Sequence, residues 1–424
     1  MKNIIAILFF ATGLNTFAQI ETPAPKQTKK ILILNGTAHL GNGKVIQTSA
    51  IGFENGKLTL VANAAAIKID FSAYDTIIKI PNQHVYPGII TPNSTIGITE
   101  IDAVKATRDY AELGLFKPHV RSIIAYNTES KITTTVRSNG VLIGQITPRS
   151  GRIAGTSSIV QFDAWNWEDA IIKEDDGVHL NWVSMFSRGK RNKNYDKSIA
   201  QLNGFFANSL AYSKAENYGE KNLRFESMRG LFNGEKTLYV HANFVKEITE
   251  AIHFSKKHKV AKMVIVGGYD SWIVTDMLKE NKIAVILKRV HSLPERQEDD
   301  VNLPFKLPKM LHDAGVLFCL ENAGDMEAMG TRNLPFYAGT AATYGLEKEA
   351  ALQLITLNTA KILGIDNSCG SLEKGKDATL FISDGDALDM RTNKVSTAFI
   401  QGRLLDLDNH QEKLYRKYSK KYVK

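Results

Sequence analysis

Tyr86-Pro87-Gly88-Ile89-Ile90-Thr91-Pro92-Asn93-Ser94-Thr95 divides the chain into two regimes. Upstream of Gly88 the pattern is one of short β runs, at 31–34, 50–53, 57–61 and 76–80. They are broken by the turn signals Asn35-Gly36 and Asn55-Gly56, and no helical period appears. Downstream, from Ile89 to about Gly364, apolar β runs at 141–146, 237–240, 263–266, 283–287 and 316–320 alternate with helical patterns at 244–257, 271–280 and 304–314. Alternation of this kind calls for parallel strands covered by helices. A (β/α)8 barrel is the closed form expected at roughly 250 residues.

Two stretches interrupt the alternation. Residues 151–181 fit no simple helix and read as an inserted hairpin or long loop over the barrel mouth. There Trp165, Trp167 and Trp182 either line a pocket or pack the loop down. Residues 346–363 read as one long amphipathic helix stopped by Gly364. Beyond it, β runs return at 378–382 and 396–400. The expected fold class is therefore α/β: a TIM-like (β/α)8 barrel over 89–364, with a small split β-sandwich built from 31–88 and 365–408. A polar, proline-broken linker (19–30) and a basic C-terminal tail (409–424) flank them.

The chain has 424 residues, 43% of them hydrophobic, enough for a sizeable core. Residues 1–18 read as a secretory signal, with Lys2, an apolar run from Ile4 to Ala11, and Thr16-Phe17-Ala18 as a small-x-small cleavage site before Gln19. Export to the periplasm or the extracellular space is the expectation. No later segment holds the roughly 20 apolar residues of a membrane span. Cleavage removes one unit of the formal +9 charge, and much of the remainder sits in Lys413 to Lys424, a solvated end or a surface for acidic partners. No nucleic-acid motif is present. Cys319 and Cys369 are the only cysteines, too few for a disulfide framework or a zinc signature.

Three motifs carry a resemblance. They are Pro87-Gly88-Ile89-Ile90, Thr356-Leu357-Asn358-Thr359-Ala360-Lys361-Ile362-Leu363-Gly364, and Gly370-Ser371-Leu372-Glu373-Lys374-Gly375-Lys376-Asp377-Ala378. Together with the split layout they resemble the amidohydrolase superfamily, in its imidazolonepropionase-like branch, from Ile31 to Leu405. The resemblance implies a hydrolase of cyclic amides, ureides, amino-acid derivatives or peptides. In that family one or two divalent ions at the strand ends lower the pKa of a bound water and polarise the scissile carbonyl.

Aligned on Pro87-Gly88, the first two histidines of the family fall on Asn93 and Thr95, and the aspartate before them on Thr91. The fifth-strand histidine is His241, and the sixth-strand one is replaced in Val266-Gly267-Gly268. The eighth-strand aspartate falls on Ala323, with Glu321 two residues before it and Asp325 two after. Amide and hydroxyl oxygens are weak zinc ligands. The resemblance thus leaves His241 as the one retained metal ligand, and one zinc-like divalent ion at most. His241, Asp325 and His291 are the catalytic candidates. Asn93, Thr95, Arg149, Lys288, Glu321 and Arg332 are the substrate-binding candidates, Arg332 as a rim contact. The cations suit a small, anionic ligand, although pairing with the acidic run 295–300 is the competing role for the basic stretch 288–296. The family often forms dimers, and a complex with an intact paralogue is a second possible assembly.

Three functions follow: a C–N hydrolase working through a remodelled, metal-poor site, a catalytically silent binding protein or partner subunit of the same fold, or a structural role in surface attachment through the basic tail, with salt-sensitive membrane association that deletion of Lys413 to Lys424 abolishes. N-terminal sequencing of the exported chain is expected to start at Gln19. An exported chain still beginning at Met1 would overturn the signal assignment.

Overall fold

The computed structural model describes residues 23–187, 190–215 and 219–422. The signal segment 1–18 lies outside the described residues.

Eight strands form one continuous sheet around a barrel: β1 (Ile89–Ser94), β2 (Val141–Ile146), β3 (Ile153–Gln161), β4 (Ile171–Asn181), β5 (Thr237–Ala242), β6 (Met263–Gly267), β7 (Ala284–Leu287) and β8 (Phe318–Leu320). They neighbour one another in chain order. Seven run parallel, as the alternation predicts, whereas β3 is antiparallel to both β2 and β4. Residues 151–181 are therefore no insertion over the mouth; they supply two staves of the wall. The reason is chain length: residues 162–170 are too few for the crossover a parallel pair requires, so a hairpin forms.

Helices cover the outside, among them α1 (Lys131–Arg137), α2 (Tyr195–Lys214), α3 (Leu223–Asn233), α4 (Val245–Lys257), α5 (Leu303–Asp313) and α6 (Leu334–Thr343). One apolar cluster lies between wall and helices, with Leu142, Val240, Ile265, Leu287, Phe318 and Leu320 pointing outward into it. The alternate residues Ile90, Ile143, Tyr239, Val266, Ile286 and Cys319 point inward, as a period of two demands. Cys319 and Cys369 are both buried free thiols. Trp182 does not line a pocket but packs edge-on against Phe254, and Trp165 lies in the β3–β4 turn, exposed.

The expected long helix over 346–363 is two, α7 (Lys348–Gln353) and α8 (Leu357–Leu363), broken where Thr356 takes φ −133° and ψ −98°. The break serves the wall. No ladder joins β1 to β8 among the described residues. Instead Ile90 donates to the Ile355 carbonyl (2.9 Å) and Leu320 to that of Leu354 (3.2 Å). The motif residues hold this corner: Thr356 Oγ1 bonds Leu352 O (2.7 Å), Thr359 Oγ1 bonds Leu354 O (2.9 Å) and Asn358 Nδ2 bonds Phe318 O (3.2 Å). An uninterrupted helix would keep those carbonyls for itself.

A four-stranded sheet (31–34, 49–54, 57–63 and 76–79) and a six-stranded sheet (37–39, 45–46, 84–87, 380–383, 395–400 and 403–404) form the small domain. Ile33, Ile51 and Phe53 of the first pack against Val85, Leu380 and Phe399 of the second. The strand ending at Pro87 runs straight into β1 through Gly88. A Cβ on Gly88 would stand 2.8 Å from Thr379 Cγ2, which accounts for the glycine.

Asp163 ties both units together. It accepts hydrogen bonds from Arg137 (2.8 Å) and the Ala24 amide (3.0 Å), and it pairs with Arg403. Removing one member of a buried ion network typically costs 3–5 kcal/mol. Asp163→Ala is therefore expected to destabilise the protein by about 3 kcal/mol in chemical denaturation, and a loss below about 1 kcal/mol would contradict this role.

Candidate functional site

The upper layer of the barrel interior is polar, and two connected networks fill it. The first starts at Asp176 on β4, which is buried and accepts from three donors: Ser157 Oγ (2.7 Å), Tyr239 Oη (2.7 Å) and Gln145 Nε2 (2.8 Å). Ser157 Oγ lies 2.9 Å from His179 Nε2, and His179 Nδ1 lies 2.9 Å from His241 Nε2. The tautomers follow by donor counting. Because Ser157 gives its proton to Asp176, His179 Nε2 must donate to Ser157. His179 Nδ1 then accepts from His241 Nε2–H, which leaves the lone pair of His241 on Nδ1. His241 is only partly buried, so this edge opens to the mouth. Burial, with the Arg149 charge nearby, pushes His241 down to about 3, and His179 is also held well below the usual histidine range. Both imidazoles are neutral at pH 7. Burial raises Asp176 against the pull of its three donors.

The second network crosses from β1 to β8. Asn93 sits in the left-handed region (φ 48°), which asparagine tolerates better than most residues. This turns its amide inward: the backbone N–H bonds Gln145 Oε1 (3.0 Å), Nδ2 donates to Glu321, and Oδ1 accepts from Arg149 (2.8 Å). Arg149 also binds the Asn93 carbonyl (2.8 Å) and the Glu327 carboxylate (3.2 Å). Glu321 follows β8 directly, donates its amide to Leu287 O (3.1 Å), and lies on the same face as the inward Cys319. Burial lifts its carboxyl to about 7, against the Asn93 bond and the Arg149 charge, which favour ionisation.

The other sequence candidates make no side-chain hydrogen bond to these networks among the described residues. Thr95 is buried beside Asn93, and its hydroxyl has no partner among the described residues. Asp325 is exposed in the loop after β8. With Asp102, Arg108, Arg149 and Glu327 it lines a mouth cleft of about 350 Å³. Lys288 does not stand free for a ligand but pairs with Glu295, and Arg296 pairs with Asp270 and Asp299. His291 lies outside the barrel interior: it bonds Thr340 on α6 (2.7 Å) and packs on Tyr337. Arg332 is exposed, and its carbonyl accepts from Asn139 (2.9 Å), just ahead of β2. That is the N-terminal end of the wall, so Arg332 is no rim contact.

Sequence reasoning missed His179, Asp176, Ser157, Gln145 and Tyr239. The available signal was the alternation Asp176-Gly177-Val178-His179-Leu180-Asn181, hidden because the stretch did not read as wall. Gly177 belongs to the same arrangement, since a Cβ there would stand 2.3 Å from the Tyr239 ring.

The model for the amidohydrolase family matches residues 235–405, from the start of β5 to the closing strands. Over that part the chain resembles the amidohydrolase family. Among solved structures, an amidohydrolase from Thermotoga maritima MSB8 superposes with a TM-score of 0.78 at 23% identity, covering 89% of this chain and 100% of that one. An Xaa-Pro dipeptidase with bound methionine in its active site superposes at 0.55 and 13% identity, covering 89% and 100%. An adenosine deaminase from Xanthomonas campestris with bound zinc also superposes at 0.55, with 14% identity, covering 93% and 98%. These likenesses concern the fold. No curated protein matches the chain.

The donor set here does not fit the divalent centre that the resemblance implies. No group of three or more His, Cys, Asp or Glu side chains able to hold a metal occurs among the described residues. His179 and His241 turn ring nitrogens towards each other, and Asn93 spends its amide on Glu321 and Arg149. A lone imidazole with an open edge is far short of the three protein ligands such an ion needs.

The pKa of Glu321 has a stability consequence. It stands above the ordinary value of 4.5, so the folded state binds this proton more tightly than the unfolded chain. The contribution is complete below about pH 4.5 and is lost as pH rises towards 7. Relative to Glu321→Gln, which keeps the shape without the titration, the natural protein is expected to lose up to ~3 kcal/mol across that window. Denaturant midpoints measured in steps between pH 4 and 8 check the slope, and parallel curves for the two proteins would contradict it.

Proposed function

We propose that this is an exported, amidohydrolase-type hydrolase of C–N bonds in non-peptide amides, cyclic amides or amino-acid derivatives. The observation that carries this reading is Glu321, a buried strand-end carboxyl with a pKa of about 7, at the position where a barrel enzyme places its chemistry. A carboxyl so poised accepts a proton from attacking water and returns it to the departing nitrogen at neutral pH. Asn93 orients it, Arg149 supplies positive charge beside it, and the open Nδ1 of His241 accepts a hydrogen bond from substrate or water. In this mechanism each step belongs to side chains of the chain itself. The match of residues 235–405 to the amidohydrolase family model supports hydrolysis as the reaction type. The signal pattern in 1–18 supports export.

A second reading is a catalytically silent binding protein or a partner subunit. It is favoured by the degree to which Asn93, Arg149 and Glu327 already satisfy one another.

Turnover of the purified mature chain on a panel of amides, cyclic amides, ureides and N-acyl amino acids separates the two. For the hydrolase, Glu321→Gln is expected to lower kcat by about a hundredfold or more with KM little changed. Absence of turnover across the panel, with ligand binding retained, would establish the silent reading instead.

A further inference from the structure

The C-terminal helix α9 (His410–Ser419) carries a feature that neither the fold nor the barrel site uses. It rests on the barrel near its start, where Thr135 Oγ1 of α1 donates to Gln411 Oε1 (2.8 Å). No residue of the helix itself is buried. Leu414, Tyr415 and Tyr418 fall on one side, and the turn after Ser419 keeps Tyr422 on that side through its amide bond to Ser419 O (2.9 Å). The three tyrosines are 68%, 58% and 76% exposed, far more than rings normally leave in water. Together with Leu414 they outline a shallow groove of about 520 Å³.

The opposite side is basic: Lys413, Arg416, Lys417, Lys420 and Lys421, against the single acid Glu412 within the helix and its final turn. Among the described residues, Arg416 forms a salt bridge, to Asp408, and the four lysines form none. Lys417 Nζ lies 5.2 Å from the centroid of the Tyr418 ring and Lys421 Nζ 5.4 Å from that of Tyr422, so two ammonium groups border the aromatic face. Long lysine side chains can swing their ammonium groups to headgroups while the rings enter the interface.

The geometry points to α9 as a helix that lies flat on an anionic lipid surface. Tyrosine is enriched at membrane–water interfaces, and lysines beside the apolar face add attraction to negatively charged headgroups. A second copy of the chain fits worse, because stacking the tyrosine faces on one another brings together the Lys417 and Lys421 ammonium groups that lie against the rings of each copy. The helix does not cross the bilayer: no helix among the described residues is long and apolar enough to do so.

The test uses the full mature chain in co-sedimentation with phosphatidylcholine vesicles, with and without phosphatidylglycerol. Binding is expected only to the anionic vesicles and is expected to fall steeply with salt. Lys417→Gln/Lys421→Gln should weaken it by roughly thirtyfold, at about 1 kcal/mol per lysine. Tyr415→Ser/Tyr418→Ser/Tyr422→Ser should weaken it too. All these side chains are exposed, so thermal unfolding should be unchanged. Equal binding to both vesicle types, no binding to either, or a dimer in sedimentation velocity that the tyrosine variant dissociates would each overturn the proposal.

Discussion

The contact on which the structure depends is the one between Asn93 and Glu321, because it spans the only wall position where neighbouring strands share no ladder among the described residues. Towards the strand starts, the seam between β1 and β8 is closed by borrowed carbonyls of Leu354 and Ile355. Towards the mouth it is closed by side chains: Asn93 to Glu321, with Arg149 clamping Asn93 to Glu327. Asn93, which the sequence resemblance sets at a metal-ligand position, thus links the two strands at this seam.

This arrangement also explains the electrostatics of the interior. A buried carboxylate without a full counter-charge is costly, so Glu321 responds by holding its proton to higher pH. The histidines respond in the opposite direction and stay neutral. The barrel therefore keeps acid and base groups close together with little net charge, and the formal cations are settled by partners around them. Lys288 and Arg296 satisfy the acidic run near them, which leaves the mouth less basic than its sequence suggests.

Much of the fold was legible in the sequence, because burial imposes a period. Inward and outward residues of β2, β5, β6 and β7 alternate or run apolar, and α4 and α5 lie where the 3.6-residue pattern puts them. The antiparallel β3 was not legible, since periodicity reports which face a residue occupies and not which way its strand runs. The break at Thr356 was hidden for a similar reason: apolar spacing continues through it, while the hydrogen bonds that pay for it come from Ile90 and Leu320, far away in the chain.

The sequence by itself determined the strand–helix alternation of the barrel and the motifs that carry the family resemblance, including the residue types present at Asn93, Thr95, His241 and Gly267, because these depend on residue identity along the chain. Tertiary structure alone decided what the replacements do. It brought His179 to His241, Asn93 to Glu321 and Arg149 across to Glu327, and it took Arg332 and His291 away from the interior. Partner choice among polar groups depends on distances of a few ångströms between remote segments, and those distances exist only once the barrel has closed.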